Sequence, residues 1–213
     1  GKLWRALEEL GVERDTIFVF TSDHGDMLHS HAEVRKQRPW DESIRVPLLI
    51  RYPRLLGEAG KKLDAPINTE DLMPTLLGLA GVPVPASVEG KDYSRYIRGG
   101  EDPSDGAALV TCPAPFGEWP RSRGGREIRG IRTRRHTYVR TLDGPWLLYD
   151  NQTDPYQLDN LIGNPQQAEL QAKLDALLRR KLEQTGDEFL PGPAYVEKWG
   201  YPVNQAGTVP YTR

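Results

Sequence analysis

Two short apolar runs, TIFVFT at residues 16–21 and VPLLI at residues 46–50, bracket a polar stretch that holds three of the chain's four histidines. Continuous apolarity at that length suits a strand buried on both faces, as in a parallel sheet. Upstream, Leu3, Leu7 and Leu10 recur at helical spacing, and Gly11 is a natural stop. Helix, short turn, buried strand is half of a βαβ unit, so the runs point to an α/β fold. In open α/β sheets the functional crevice lies at the carboxyl ends of the strands. Ser22, Asp23 and His24 leave the first run at that end, and Gly25 permits a sharp turn there.

Asp23-His24 is a donor pair that suits a divalent metal, the carboxylate supplying charge and oxygen and the neutral imidazole a nitrogen. The competing reading is a polar turn in which Ser22 and Asp23 satisfy backbone donors. Two ligands do not complete a metal site, because even a four-coordinate ion needs more. A Ser-His-Asp hydrolase reading fails: adjacent residues cannot form a nucleophile-base-orienter chain, and no G-x-S-x-G elbow is present.

The sequence SDHGD from Ser22, then His31, Lys36 and WDESIRVPLLIRYP from Trp40, resembles the C-terminal metal-binding segment of the sulfatases, in the alkaline phosphatase superfamily. NTEDLMPTLLGLAGVPVP, EGKDYSRYIRGG, REIRGIRTRRHTYVR and WLLYDNQTDPYQLDNLIGNP follow in the family's order, so the resemblance covers most of residues 15–185. It implies the C-terminal part of an alkaline-phosphatase-like α/β sandwich over residues 1–105. A small antiparallel-sheet subdomain with a packed C-terminal helix follows over 106–186, and an irregular tail over 187–213.

The resemblance makes Asp23 and His24 metal ligands, with calcium as the first expectation and manganese or zinc as alternatives. Lys36 becomes the lysine that reaches the sulfate oxygens, and His31 a second catalytic candidate beside the pocket. A solvated lysine and a structural histidine are the plainer readings of those two. His29 and Ala32 stand where relatives usually carry glycine, which makes His29 a surface residue. Ser22 and Asp26 read as turn residues or as partners that orient the ligands, ahead of being ligands themselves. The family nucleophile is a cysteine converted to formylglycine within C/S-x-P-x-R. The lone cysteine, Cys112 in TCPAPFG, lacks the arginine and reads as a small core residue. The formylglycine is therefore expected in an N-terminal part that this chain does not contain.

Composition bounds the rest. A formal charge of −2 gives no electrostatic case for nucleic acid or an anionic membrane. No apolar run approaches the ~20 residues that span a bilayer. The one basic cluster, residues 121–140, alternates arginine with Ile128, Ile131, Tyr138 and Val139, as in a half-exposed antiparallel sheet. Asp71 to Gly81 and Asn164-Pro165 to Gly186 carry helix start and stop signals, the second with a stripe from Leu170 through Leu174, Leu177 and Leu178 to Leu182.

The expected function is the metal- and sulfate-binding portion of a sulfatase acting on a sulfated small molecule or carbohydrate. A phosphonate monoester or phosphodiester hydrolase, or a non-catalytic binding fragment, are the alternatives. Family analogy implies a periplasmic or secreted location. A bare strand edge implies self-association or pairing with a complementary N-terminal half.

Overall fold

The computed structural model describes residues 1–205 and 209. The chain divides into two compact units: Gly1–Asp23 with Val46–Ala108, and His24–Arg45 with the described residues from Leu109 on. The expected boundary after residue 105 falls near the last of these junctions, while residues 24–45 group with the later sheet.

In the first unit, helix α1 (Lys2–Glu9) precedes strand β1 (Phe18–Thr21), with Trp4 edge-on to Phe18 at 5.8 Å. Strand β2 (Leu48–Arg51) pairs antiparallel with β1, Phe18 opposite Arg51 and Phe20 opposite Leu49. This corrects the expectation of a doubly buried strand in a parallel sheet. Parallel neighbours need a long crossover. Residues 22–47 are long enough for one, but they carry only a 3-10 turn and a one-turn helix, with no long helix to pack across a sheet, and β2 returns antiparallel, leaving Phe20 and Leu49 each 59% exposed.

After the short helix α3 (Pro53–Leu56), Asn68 and Asp71 close a capping box. Asp71 also accepts the Lys91 backbone N–H at 2.7 Å. Helix α4 (Leu72–Ala80) follows and stops at Gly81, whose φ of 72° suits a residue without Cβ. A one-turn helix, α5 (Ser94–Ile97), completes the unit.

The second unit is built on a four-stranded sheet of β3 (Ala107–Cys112), β4 (Ile128–Thr133), β5 (His136–Thr141) and β6 (Gly144–Asp150), adjacent in that order, with β4, β5 and β6 antiparallel. Period-2 alternation gives it two faces. On one, Ile128, Val139, Leu147 and Tyr149 form a core with Cys112 and Trp119, against which Trp40 and Trp146 pack.

The other face carries Arg129, Ile131, Tyr138 and Arg140, by the strand register. Arg129 and Arg140 lie directly opposite each other, a repulsive pairing unless each finds a counter-charge. Asp187 takes Arg129, and Asp175 of helix α6 (Ala168–Thr185) takes Arg140 at 2.5 Å and the Tyr138 hydroxyl at 2.7 Å. The basic cluster is therefore more than a solvated sheet face: Arg129 is fully buried, and outward arginines such as Arg134 remain exposed.

Asn164 caps the turn leading into α6 by accepting the Gln166 N–H at 2.9 Å, and Leu174 and Leu178 bury the helix stripe. Part of the stretch expected as irregular tail is helical: α7 (Gly192–Trp199) is seated by Glu127, which accepts the Gly192 N–H at 2.7 Å, and by Arg129 donating to the Tyr195 hydroxyl at 3.1 Å. Residues 206–208 and 210–213 of that tail lie outside the described residues.

Candidate functional site

The polar loop after β1 is held open by its own backbone. Six non-glycine residues between positions 28 and 37 (Leu28, His29, His31, Ala32, Arg35 and Gln37) have positive φ, which L-residues seldom adopt. Runs of this kind persist only where the surroundings impose them, and they concentrate at functional sites.

Asp26 supplies part of the constraint. Its carboxylate accepts the Leu28 N–H at 2.9 Å and the Arg35 N–H at 3.2 Å, the turn role read from the sequence. Met27 is fully buried and its N–H reaches the Arg35 carbonyl at 2.8 Å. Arg38, also buried, donates to Glu33 at 2.7 and 2.9 Å, to the Lys36 carbonyl at 2.6 Å and to the Glu118 carbonyl at 3.0 Å. That bracing fixes the backbone from which Lys36 extends.

The loop brings His24 and Lys36 together. The His24 Nδ1 lies 2.7 Å from the Gly25 carbonyl, an acceptor only, so Nδ1 carries the proton. Nε2 then presents a lone pair, and the Lys36 ammonium donates to it at 2.8 Å. Lys36 can bind an oxyanion through its remaining N–H groups, and the single Nε2 lone pair becomes available to an electrophilic ion only when Lys36 releases it.

The two units meet in sequence between Asp23 and His24. Asp23 is exposed and accepts from the Ser22 hydroxyl at 3.4 Å. His31 is engaged elsewhere, stacked on Trp40 with ring centroids 4.7 Å apart. Its Nε2 is buried without a hydrogen-bond partner, 3.9 Å from the Glu42 carboxylate and beyond hydrogen-bond reach. His29 is exposed at φ 73°, as expected of a surface residue.

The turn between His24 and Lys36 is pinned by helix α2 (Asp41–Ile44). The Gly25 N–H donates to the Ser43 carbonyl at 2.9 Å, and a Cβ added at Gly25 would lie 1.9 Å from the Glu42 carbonyl oxygen. Glycine is required there for close approach. Arg132 of β4 grips the Asp41 carboxylate at 2.8 and 2.9 Å, and Arg45 adds a looser contact at 3.6 Å. Sequence reasoning singled out neither Arg38 nor Arg132. Nothing in the local pattern distinguishes those two from solvated arginines.

The metal expectation meets a limited donor set. The Asp23 carboxylate and the His24 Nε2 lone pair are chemically apt, yet no group of three or more histidine, cysteine, aspartate or glutamate side chains suited to a metal exists among the described residues. Cys112 is buried, and burial pushes its thiol up to about 11, so the reactive thiolate is scarce near neutrality. It is a core residue, as the sequence reading held.

Helices and antiparallel sheets here carry an imidazole–ammonium pair on a constrained loop. The chain belongs to the family described as N-sulphoglucosamine sulphohydrolase, C-terminal, whose model matches residues 30–184.

Among curated proteins it is 44% identical over 205 residues to an ulvan-active sulfatase of Formosa agariphila, covering 94% of this chain and 39% of that protein. Among solved structures it is similar to one described in complex with its substrate D-glucosamine-2-N,6-O-disulfate (TM-score 0.73, 29% identity, 88% of this chain and 38% of that one). It is also similar to the phosphonate monoester hydrolase of Agrobacterium radiobacter (TM-score 0.71, 28% identity, 86% of this chain and 38% of that one). The chain spans about two fifths of the length of the curated relative. Its fold class, helices with antiparallel sheets in a sulfatase-like α/β arrangement, agrees with these neighbours.

Proposed function

We propose that this chain is the C-terminal portion of a sulfatase that hydrolyses the sulfate esters of a sulfated carbohydrate, and that His24 and Lys36 are its contribution to the site. The observation that carries the reading is the 2.8 Å contact between the Lys36 Nζ and the lone pair of a tautomer-fixed His24. Family membership and the substrate named for the glucosamine-disulfate structure support the ester and sugar classes.

Cleavage of a sulfate ester develops negative charge on the nonbridging and leaving oxygens. A preorganised ammonium stabilises that charge without reorganising in the transition state. Lys36 supplies it from a backbone braced by Arg38. His31 is the second catalytic candidate: stacking on Trp40 fixes the ring plane, and among the described residues no hydrogen-bond partner competes for its Nε2. Asp23 and His24 would hold part of a divalent ion, calcium first, with manganese or zinc as alternatives, and such an ion supplies Lewis-acid stabilisation of developing charge. The nucleophile, a formylglycine, is assigned to polypeptide N-terminal to this chain. A sulfated carbohydrate is too polar and charged to cross a lipid bilayer unaided, which supports a periplasmic or secreted site of action.

The second reading, hydrolysis of phosphonate monoesters, is favoured by likeness to the Agrobacterium enzyme. The test is kcat/KM for an aryl sulfate and an aryl phosphonate monoester, using protein expressed from the complete reading frame that contains this chain. We expect the sulfate to be the better substrate. Preference for the phosphonate selects the second reading. Turnover of neither by a folded, metal-loaded protein overturns the assignment in favour of a non-catalytic fragment.

A further inference from the structure

Gln157 follows the Asp154-Pro155 turn and is the most constrained residue there. Its φ is 56°, and it is only 1% exposed although its neighbours Tyr156 and Leu158 are each 72% exposed. A turn glutamine has no need to be buried, and the positive φ is a conformation that a side-chain-bearing residue seldom adopts. The buried amide uses both of its ends. Its Oε1 accepts the backbone N–H of Asp41 at 2.8 Å. Its Nε2 donates to the Thr137 hydroxyl at 2.9 Å and to the Asn151 side-chain carbonyl at 2.8 Å.

Asp41 is the first residue of α2, the helix whose Ser43 carbonyl accepts the Gly25 N–H and whose Glu42 carbonyl leaves no room for a side chain at Gly25. Thr137 belongs to β5 and Asn151 follows β6, so the amide ties α2 to the sheet. Arg132, from β4, grips the same residue through its carboxylate. A continuous path of contacts therefore runs from the sheet through Gln157 and Asp41 to α2, and from α2 to Gly25, whose carbonyl sets the His24 tautomer at 2.7 Å.

We propose that Gln157 is a positioning residue, which clamps α2 against the His24-Gly25 turn and thereby fixes the orientation and tautomer of the imidazole that faces Lys36. Its relevance to catalysis rests on the function proposed above, but the clamp itself does not. Oε1 is the part that matters to the turn, because it alone reaches Asp41. Nε2 only anchors the amide to the sheet.

The experiment is NMR on the chain itself. It compares the imidazole nitrogen signals of His24 and the amide hydrogen exchange of Gly25 and Asp41 in wild type, Gln157→Leu, Gln157→Asn and Gln157→Glu. The leucine variant lacks the acceptor and the asparagine variant is too short to reach it. In both, exchange at Gly25 and Asp41 should quicken by about tenfold or more, and the His24 signals should move toward a tautomer average, while amides of β4 and β5 keep their protection. The glutamate variant, measured at a pH where its buried carboxyl is protonated, keeps an acceptor for Asp41 and a donor for the sheet and should restore slow exchange at both amides. Unchanged His24 signals and Gly25 exchange in the leucine and asparagine variants overturn the proposal. So does a loss of protection spread evenly over the sheet, which marks a merely structural residue. If the leucine variant does not fold, the asparagine and glutamate pair decides. A clamp that behaves as described in a protein without esterase activity would refute the proposed function and leave this inference standing.

Discussion

Lys36 and Asp23 illustrate how far single residues can be read. The register of Lys36 after SDHG singled it out in the sequence, and the structure places its ammonium on His24 at 2.8 Å. What the sequence did not show is how the loop is held. Asp26 was legible as a turn residue, but its bond to the Arg35 N–H, the Met27 contact with the Arg35 carbonyl and the Arg38 contact with the Glu118 carbonyl were not, because no periodicity encodes them. His31 was legible as a residue of interest, but its stacking on Trp40 depends on Trp40 packing against the β-sheet core of the second unit. Gly25 carries a direct prediction. A Cβ there meets the backbone of α2 rather than a flexible side chain, so Gly25→Ala should cost about 1–3 kcal/mol of stability, the usual range for overpacking. Urea unfolding of wild type and variant checks this, and an unchanged midpoint would contradict the close approach.

At the scale of elements, helix limits were the most legible feature. Gly81 and Gly186 both end their helices in the left-handed conformation, and Asn164 caps the approach to α6. Strand partnership was less legible, since an apolar run such as residues 16–21 does not state the direction of its neighbour. The pairing of α6 with the sheet depends on charge as well as on leucines. Burial pushes the Asp175 carboxyl up, but hydrogen bonds from Tyr138, Arg140 and Arg179 outweigh it and hold the group below its ordinary value.

A carboxyl depressed in the folded state contributes stability above its unfolded pKa, about 3.9, and loses that contribution as pH falls through the lower folded value. Unfolding free energy should therefore fall in acid, with Asp150, held well below the usual range by Arg135, acting in the same direction. Asp175→Asn should lose about 1–3 kcal/mol at pH 7, the scale of charged hydrogen bonds, and flatten the acid limb. Urea midpoints from pH 7 down to about pH 3 measure both effects. An acid limb as steep in the variant as in wild type would contradict the ion-pair account.

For the whole molecule, the resemblance of five ordered motifs identified the family, and the family model matching residues 30–184 agrees. The exposed Phe20–Leu49 pair on the two-stranded sheet is an apolar surface at a strand edge, a feature that drives association. The 213-residue chain expressed alone should self-associate on light scattering, and Phe20→Ser with Leu49→Ser should shift it toward monomer. A wild-type monomer at high concentration would contradict that.

The central claim is that Lys36, set against His24, stabilises charge on a cleaved sulfate ester. Its most direct test is kcat for an aryl sulfate, with and without Lys36→Ala, in protein from the complete reading frame. The claim predicts a fall of about 100-fold or more with an unchanged circular dichroism spectrum, the usual cost of losing one preorganised charge-stabilising group. Wild-type kcat in the folded Lys36→Ala protein would contradict it.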